Sequence, residues 1–159
     1  MDKFLIFTIF FYFSVLQNAF SQDQKTVAKF VISDARLNKL DRTEYYLKAG
    51  AYIVFYFDND SIPCMANVMP NKKTQSFGKL FANKHKGENA TCDGYAADYF
   101  SYKWSYKNDY DNKEGTSDVN LVKIYKPQGV IFTCTIITEN LDVLVYKGYL
   151  EGSIDFSKF

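Results

Sequence analysis

Four aromatic residues, Phe100, Tyr102, Trp104 and Tyr106, alternate with Ser101, Lys103, Ser105 and Lys107. In an extended chain successive side chains point to opposite faces. The four rings therefore share one face of a strand and the polar residues the other. Such a stripe is first a packing signal, the core face of a strand. It is also the chemistry of a binding surface. Tyr and Trp pair an apolar plane with a polar tip, which suits lipids, sugar rings or protein loops. Three of the four carry a polar handle that a wholly packed core has to satisfy by hydrogen bonding. Phe100, Tyr102, Trp104 and Tyr106 are the ligand-contact candidates.

Other chemistry has less to build on. His85 is the only histidine and stands between Lys84 and Lys86 in a polar stretch. A Ser–His or Cys–His nucleophile would have to use it. No GxSxG elbow or glycine-rich phosphate loop occurs. The remaining catalytic route is a hydrolase built on two convergent carboxylates, and the chain is expected to be non-catalytic. Two acidic turns, Asp58-Asn-Asp60 and Asp109 to Gly115, resemble calcium loops in composition only. In the second, Lys113 and Glu114 stand where an acidic ligand and the glycine belong. No CxxC pair accompanies the lone histidine, which argues against zinc. No cofactor or metal is expected.

Export is expected from the first residues. Phe4–Leu16 is an apolar run broken only by Thr8 and Ser14, and Ala19-Phe20-Ser21 places small residues where a signal peptidase reads. The run is short for a bilayer span. Residues 1–21 read as a signal peptide and residues 22–159 as one domain, secreted or periplasmic, with no membrane span in the mature chain. An oxidising compartment permits a disulfide among Cys64, Cys92 and Cys134. Cys64–Cys92 is the favoured pair, because Cys134 occupies an apolar strand position suited to a buried thiol. The sequons at Asn59 and Asn89 matter only in a eukaryotic source.

Net charge is +1 and stays so when Asp2 and Lys3 leave with the leader. Near-neutrality argues against nucleic acid as a partner, since backbone contacts need clustered surplus charge. Charge is nonetheless segregated. Segment 72–86 carries Lys72, Lys73, Lys79, Lys84 and Lys86 without an acid, and an acid-rich stretch follows it. This reads either as solvated loops or as a basic face for an anionic partner.

The elements that must position these residues follow from composition and punctuation. Mature Tyr outnumber Leu twelve to eight, which disfavours a helical bundle and favours strands. Eight apolar runs are separated by turn signals: 26–36, 51–57, 62–69, 74–82, 99–107, 118–125, 130–138 and 143–150. Residues 83–94 read as a polar loop, and the tail from Glu151 as loosely held. Asp41-Arg-Thr-Glu44 has capping-box spacing, with Leu40 and Tyr45 placed for a hydrophobic staple and Gly50 as the stop. A short helix is predicted at 42–48.

One strand, a short helix and seven strands in up-and-down order resemble the lipocalin-like domains of small secreted bacterial proteins. The most specific stretch is Asp41-Arg-Thr followed by Tyr52-Ile-Val-Phe-Tyr-Phe-Asp-Asn-Asp. The Gly-x-Trp signature of true lipocalins is absent, the single Trp being Trp104, so no ligand residues are carried over. The expected fold is all-β, an eight-stranded antiparallel meander forming a barrel or sandwich with one short helix near the N-terminus. The expected function is non-catalytic binding of a small apolar or glycan ligand in a lipocalin-like barrel. The alternative is a protein-interaction module, an inhibitor or surface-complex component, that meets an extracytoplasmic protein through loops and segment 72–86.

Overall fold

The computed structural model describes residues 25–82, 87–156 and 159. The signal-peptide reading of residues 1–21 and the basic residues 84–86 lie outside them. Among the described residues ten strands run in chain order: β1 (Lys25–Leu37), β2 (Leu40–Asp41), β3 (Tyr52–Phe57), β4 (Pro63–Met69), β5 (Thr74–Ala82), β6 (Gly87–Cys92), β7 (Tyr95–Asn108), β8 (Glu114–Lys126), β9 (Gly129–Thr138) and β10 (Val143–Gly152). Helix α1 spans Thr43–Lys48, and a 3-10 turn spans Pro70–Lys72.

Neighbouring strands are antiparallel throughout, in the order β1-β3-β4-β5-β7-β8-β9-β10. β10 then pairs back with β1, from Ala28 opposite Gly152 to Leu37 opposite Leu144. This last ladder decides between barrel and sandwich. The eight strands close into a barrel, which leaves no open edge in the wall. At eight strands a barrel interior is just wide enough to be filled by side chains or to hold one small ligand.

Alternation explains the inside. Phe30, Ile32, Ile53, Phe55, Met65, Leu80, Val119, Leu121, Cys134, Ile136 and Tyr146 point inward from seven strands and are all but excluded from solvent. Each large apolar side chain so buried contributes about 1.5–3 kcal/mol. Two glycines let the wall close. A Cβ on Gly78 would collide with the backbone of Ser105 and Tyr106, and one on Gly148 with the carbonyl of Val31.

Helix α1 sits where the sequence places it, but its start is built differently. Arg42 is the N-cap and makes no side-chain cap bond. Asp41 Oδ1 instead accepts from the Thr43 N–H at 2.8 Å. Glu44 does not reach back as a capping box requires; it pairs forward with Lys48 Nζ at 2.6 Å. Leu40 and Tyr45 are 61% and 49% exposed, so no staple forms. At the other end Gly50, at φ +67°, closes the helix. The Gly50 N–H bonds to the Leu47 carbonyl and that of Ala51 to the Tyr46 carbonyl, the pattern of a Schellman stop.

Two other expectations are corrected. Residues 83–94 are not all loop, since 87–92 form β6 against the first part of β7, with Cys92 opposite Tyr95. The Cys64–Cys92 disulfide is absent, and all three cysteines are free. Cys64 lies on the outward face of β4, buried with Tyr56 and Ala66 in a small cluster. Cys92 pairs beyond the span of β7 that β5 occupies, so the sheet holds the two thiols apart. The expectation for Cys134 as a buried thiol agrees with its place in the core at 0% exposure.

Candidate functional site

The stripe on β7 lies on the inner face of the wall. Tyr102 and Trp104 are 2% and 3% exposed, and Phe100 and Tyr106 are partly buried against the same core. The reason is register. Phe100, Tyr102, Trp104 and Tyr106 stand opposite Leu121, Val119, Ser117 and Gly115 of β8, whose first three are themselves buried. Gly115 leaves room for the Tyr106 side chain, whose hydroxyl oxygen a Cβ there would meet at 2.8 Å. The Tyr106 and Trp104 rings lie 4.6 Å apart between centroids.

The polar handles are satisfied unequally. The Tyr102 hydroxyl donates to the backbone carbonyl oxygen of Phe156 at 2.7 Å, in a buried setting. Burial, with the nearby charge of Asp155, pushes the Tyr102 phenol well above its ordinary value. Trp104 Nε1 and Ser117 Oγ, on directly opposed residues, are buried without a hydrogen-bond partner. Such atoms are uncommon in packed interiors.

Two ends of the interior are closed in different ways. At the start of β3 the helix is the cover. Tyr46 packs edge-on against Tyr146 at 5.2 Å, and Asn67 Nδ2 donates to the Tyr146 hydroxyl at 3.3 Å. Burial raises both phenols above their ordinary value. At the far end of β3 the cover is the segment after β10, which the sequence reading left loose. Phe156 and Phe159 are 4% and 7% exposed. The Phe156 ring meets Phe55 at 5.1 Å, Phe100 at 5.5 Å and Phe132 at 6.2 Å. Phe159 meets Phe57 at 4.8 Å and Phe55 at 6.2 Å. Edge and tilted ring pairs of this kind add about 0.5–1.5 kcal/mol each beyond the area they bury.

Phe55, Phe57, Phe100 and Phe132 thus form an aromatic socket drawn from three strands, with the buried Tyr102 hydroxyl bonded to the segment that fills it. Sequence reasoning found Phe100 and Tyr102 and missed the rest. The signal was present in part. Phe132 shares a face with Cys134 and Ile136 by alternation, and Phe55 and Phe57 share one with Ile53. What joins those faces is the β10–β1 closure, which is a long-range event.

A concavity lies on the outer wall. A groove of about 350 Å³ is lined by Tyr52, Val54, Tyr56, Ala66, Val68, Gln75 and Phe77. These residues alternate with the inward-facing core residues of β3, β4 and β5, so the strands are apolar on both faces there. Lys29 lies over the Tyr52 ring at 5.0 Å, and burial pushes the Tyr56 phenol up to about 12.

The basic segment is only partly a basic face. Lys72 and Lys73 are exposed at the 3-10 turn. Lys72 lies over the Tyr45 ring at 5.4 Å, and Lys79 pairs with Asp58 at 3.6 Å. The acidic turns spend their oxygens on their own backbone. Asp58 Oδ1 accepts from the Asp60 and Ile62 N–H groups, and Asp111 Oδ1 accepts from that of Lys113. Among the described residues no three His, Cys, Asp or Glu side chains gather as a metal would need. Comparison with protein-family models, with curated proteins and with solved structures gives no match.

Proposed function

We propose that the chain is an exported, non-catalytic binding protein whose barrel takes a small apolar ligand at the end lined by Phe55, Phe57, Phe100 and Phe132. One observation carries this reading. The rings of that end are covered by two side chains from a segment outside the barrel wall, rather than by the wall itself. An apolar ligand is favoured over a glycan by the lining, which is four phenyl rings and one phenol hydroxyl. A sugar would bring hydroxyls that find too few partners there and would be left unpaired on burial. Tyr102 is the polar contact in this reading, Phe100 the wall, and Trp104 and Tyr106 the floor beneath.

Native mass spectrometry of the full chain, purified from the exported fraction of its host, tests the reading. It predicts a retained apolar molecule at one per chain. Bare protein that also takes up no added fatty acid or ester contradicts it.

The outer groove supports a second reading, a protein-interaction module. It lies on β3, β4 and β5, and so includes part of the segment expected to meet a partner. Capture of one defined exported protein, lost in Phe77→Asp, would support that reading; unaltered capture in the variant would exclude the groove.

A further inference from the structure

We propose that Phe156 and Phe159 occupy the ligand site themselves, and that the ligand displacing them is a neutral apolar carbonyl compound, an ester or amide of a hydrocarbon chain. This rests on the barrel-end reading above and adds the chemistry of its occupant.

The covering segment begins at Gly152. This residue ends β10 at φ +95°, and a Cβ there would crowd the Val27 carbonyl. That is backbone only glycine adopts freely, and the chain leaves the wall at this point. Beyond it Phe156 puts a ring among Phe55, Phe100 and Phe132, while its carbonyl oxygen takes the Tyr102 hydroxyl. Phe156 therefore presents two things to the barrel, an apolar ring and one hydrogen-bond acceptor.

Any replacement must present both. Leaving the buried Tyr102 hydroxyl without an acceptor costs more than an ordinary hydrogen bond contributes. A plain hydrocarbon therefore fills the socket but strands the hydroxyl. A carbonyl flanked by hydrocarbon reproduces the whole arrangement. Charge selects among carbonyls. A carboxylate set among the rings of Phe55, Phe100 and Phe132 would lose its hydration and find one donor, the Tyr102 hydroxyl, and an ionised group so buried is costly. An ester or amide is preferred to a free fatty acid. The segment is tethered, so it competes at the high effective concentration of an intramolecular group. Removing its two rings strengthens ligand binding.

The test uses the fluorescent polyene ester methyl cis-parinarate and its free acid with the full chain. The Phe156→Ala/Phe159→Ala variant is expected to bind the ester about tenfold or more tightly than the native chain. Adding Tyr102→Phe is expected to return most of that gain. The free acid is expected to bind more weakly than the ester. Equal affinity in native and double-variant chains overturns the proposal, since the ester then binds without competing. No ester binding by any form overturns the barrel-end reading itself. Should the double variant fail to fold, hydrogen exchange on the native chain decides. Saturating ester is expected to speed exchange of the 153–156 amides while Phe132–Ile136 stay protected; unchanged exchange at 153–156 overturns the proposal.

Discussion

The Tyr102 hydroxyl donates to the carbonyl oxygen of Phe156 at 2.7 Å, across 54 residues of sequence. The bond joins the inner face of β7 to the segment that follows the last strand. It is the point at which the aromatic stripe meets the segment that covers the end of the barrel. Tyr102→Phe keeps the ring and removes the donor, leaving the carbonyl buried. The expected loss is about 1–3 kcal/mol in chemical denaturation. Phe156→Ala removes a ring from its contacts with Phe55, Phe100, Phe132 and Phe159 and is expected to cost about 3–5 kcal/mol. A loss under about 0.5 kcal/mol in both would mean that the segment does not hold the end of the barrel.

Trp104 separates packing from binding. Its ring is 3% exposed and belongs to the core, so Trp104→Ala is expected to cost about 3–5 kcal/mol. A denaturation midpoint near that of the native chain, together with lost ligand uptake, would instead make Trp104 a ligand contact with little structural weight.

The thiols report the corrected disulfide. Cys134 is wholly buried and its thiol is pushed up to about 12, and burial raises that of Cys64 as well. Cys92 is half-buried at the end of β6. Thiolate character and access govern the reaction with a disulfide reagent. The folded chain is expected to release one thiol quickly, that of Cys92, and the unfolded chain three. Cys92→Ser abolishes the fast phase. A single thiol in the unfolded, unreduced chain would restore the disulfide.

Much of this arrangement could be read in the sequence. The eight barrel strands match the eight apolar runs, because alternation and turn residues are local signals. The position of the stripe was legible for the same reason. Three things were not. β6 carries Asn and Thr rather than an apolar run, and pairs only because β7 extends past β5. The helix cap depends on the Asp41 carboxylate meeting its own backbone, which the same four residues can do in either of two ways. The covering role of Phe156 and Phe159 depends on a socket assembled from β3, β7 and β9, whose rings are far apart in the chain. Two Phe near the end of a sequence carry no local sign of what they cover.

Alkaline pH probes the buried phenols. Tyr56, Tyr102 and Tyr146 all lie above their ordinary value of 10.0 in the fold, chiefly through burial. An unfolded chain loses these protons near pH 10, while the fold retains them. The folded state then binds more protons, so stability falls as pH rises. Their contribution is complete below pH 10 and is lost progressively through the folded values, that of Tyr56 being about 12. Thermal midpoints are expected to be flat with respect to these groups below pH 10 and to fall steeply above it. Tyr102→Phe flattens the fall. A midpoint independent of pH between 10 and 12 would mean that the phenols are accessible.

Gly78 tests the closure of the wall. A methyl group there meets backbone atoms of Ser105 and Tyr106, which cannot swing aside as a side chain can. Gly78→Ala is expected to destabilise by about 1–3 kcal/mol. Gly94→Ala serves as the comparison, with nothing near its added Cβ but a φ of +79° to strain. Equal costs would assign the effect at Gly78 to backbone preference rather than to close approach of β5 and β7.

The most direct test of the central claim uses Trp104, the only tryptophan in the chain, as a reporter inside the barrel. Heavy-atom quenching acts over short distances. A long-chain ester carrying bromine along its hydrocarbon is titrated into the full chain and Trp104 emission is recorded. A ligand that enters the end beside Tyr102 quenches the emission saturably, at one ester per chain, and the unbrominated ester reverses the quenching. Emission that stays unchanged while the ester demonstrably binds would put the ligand outside the barrel and contradict the account.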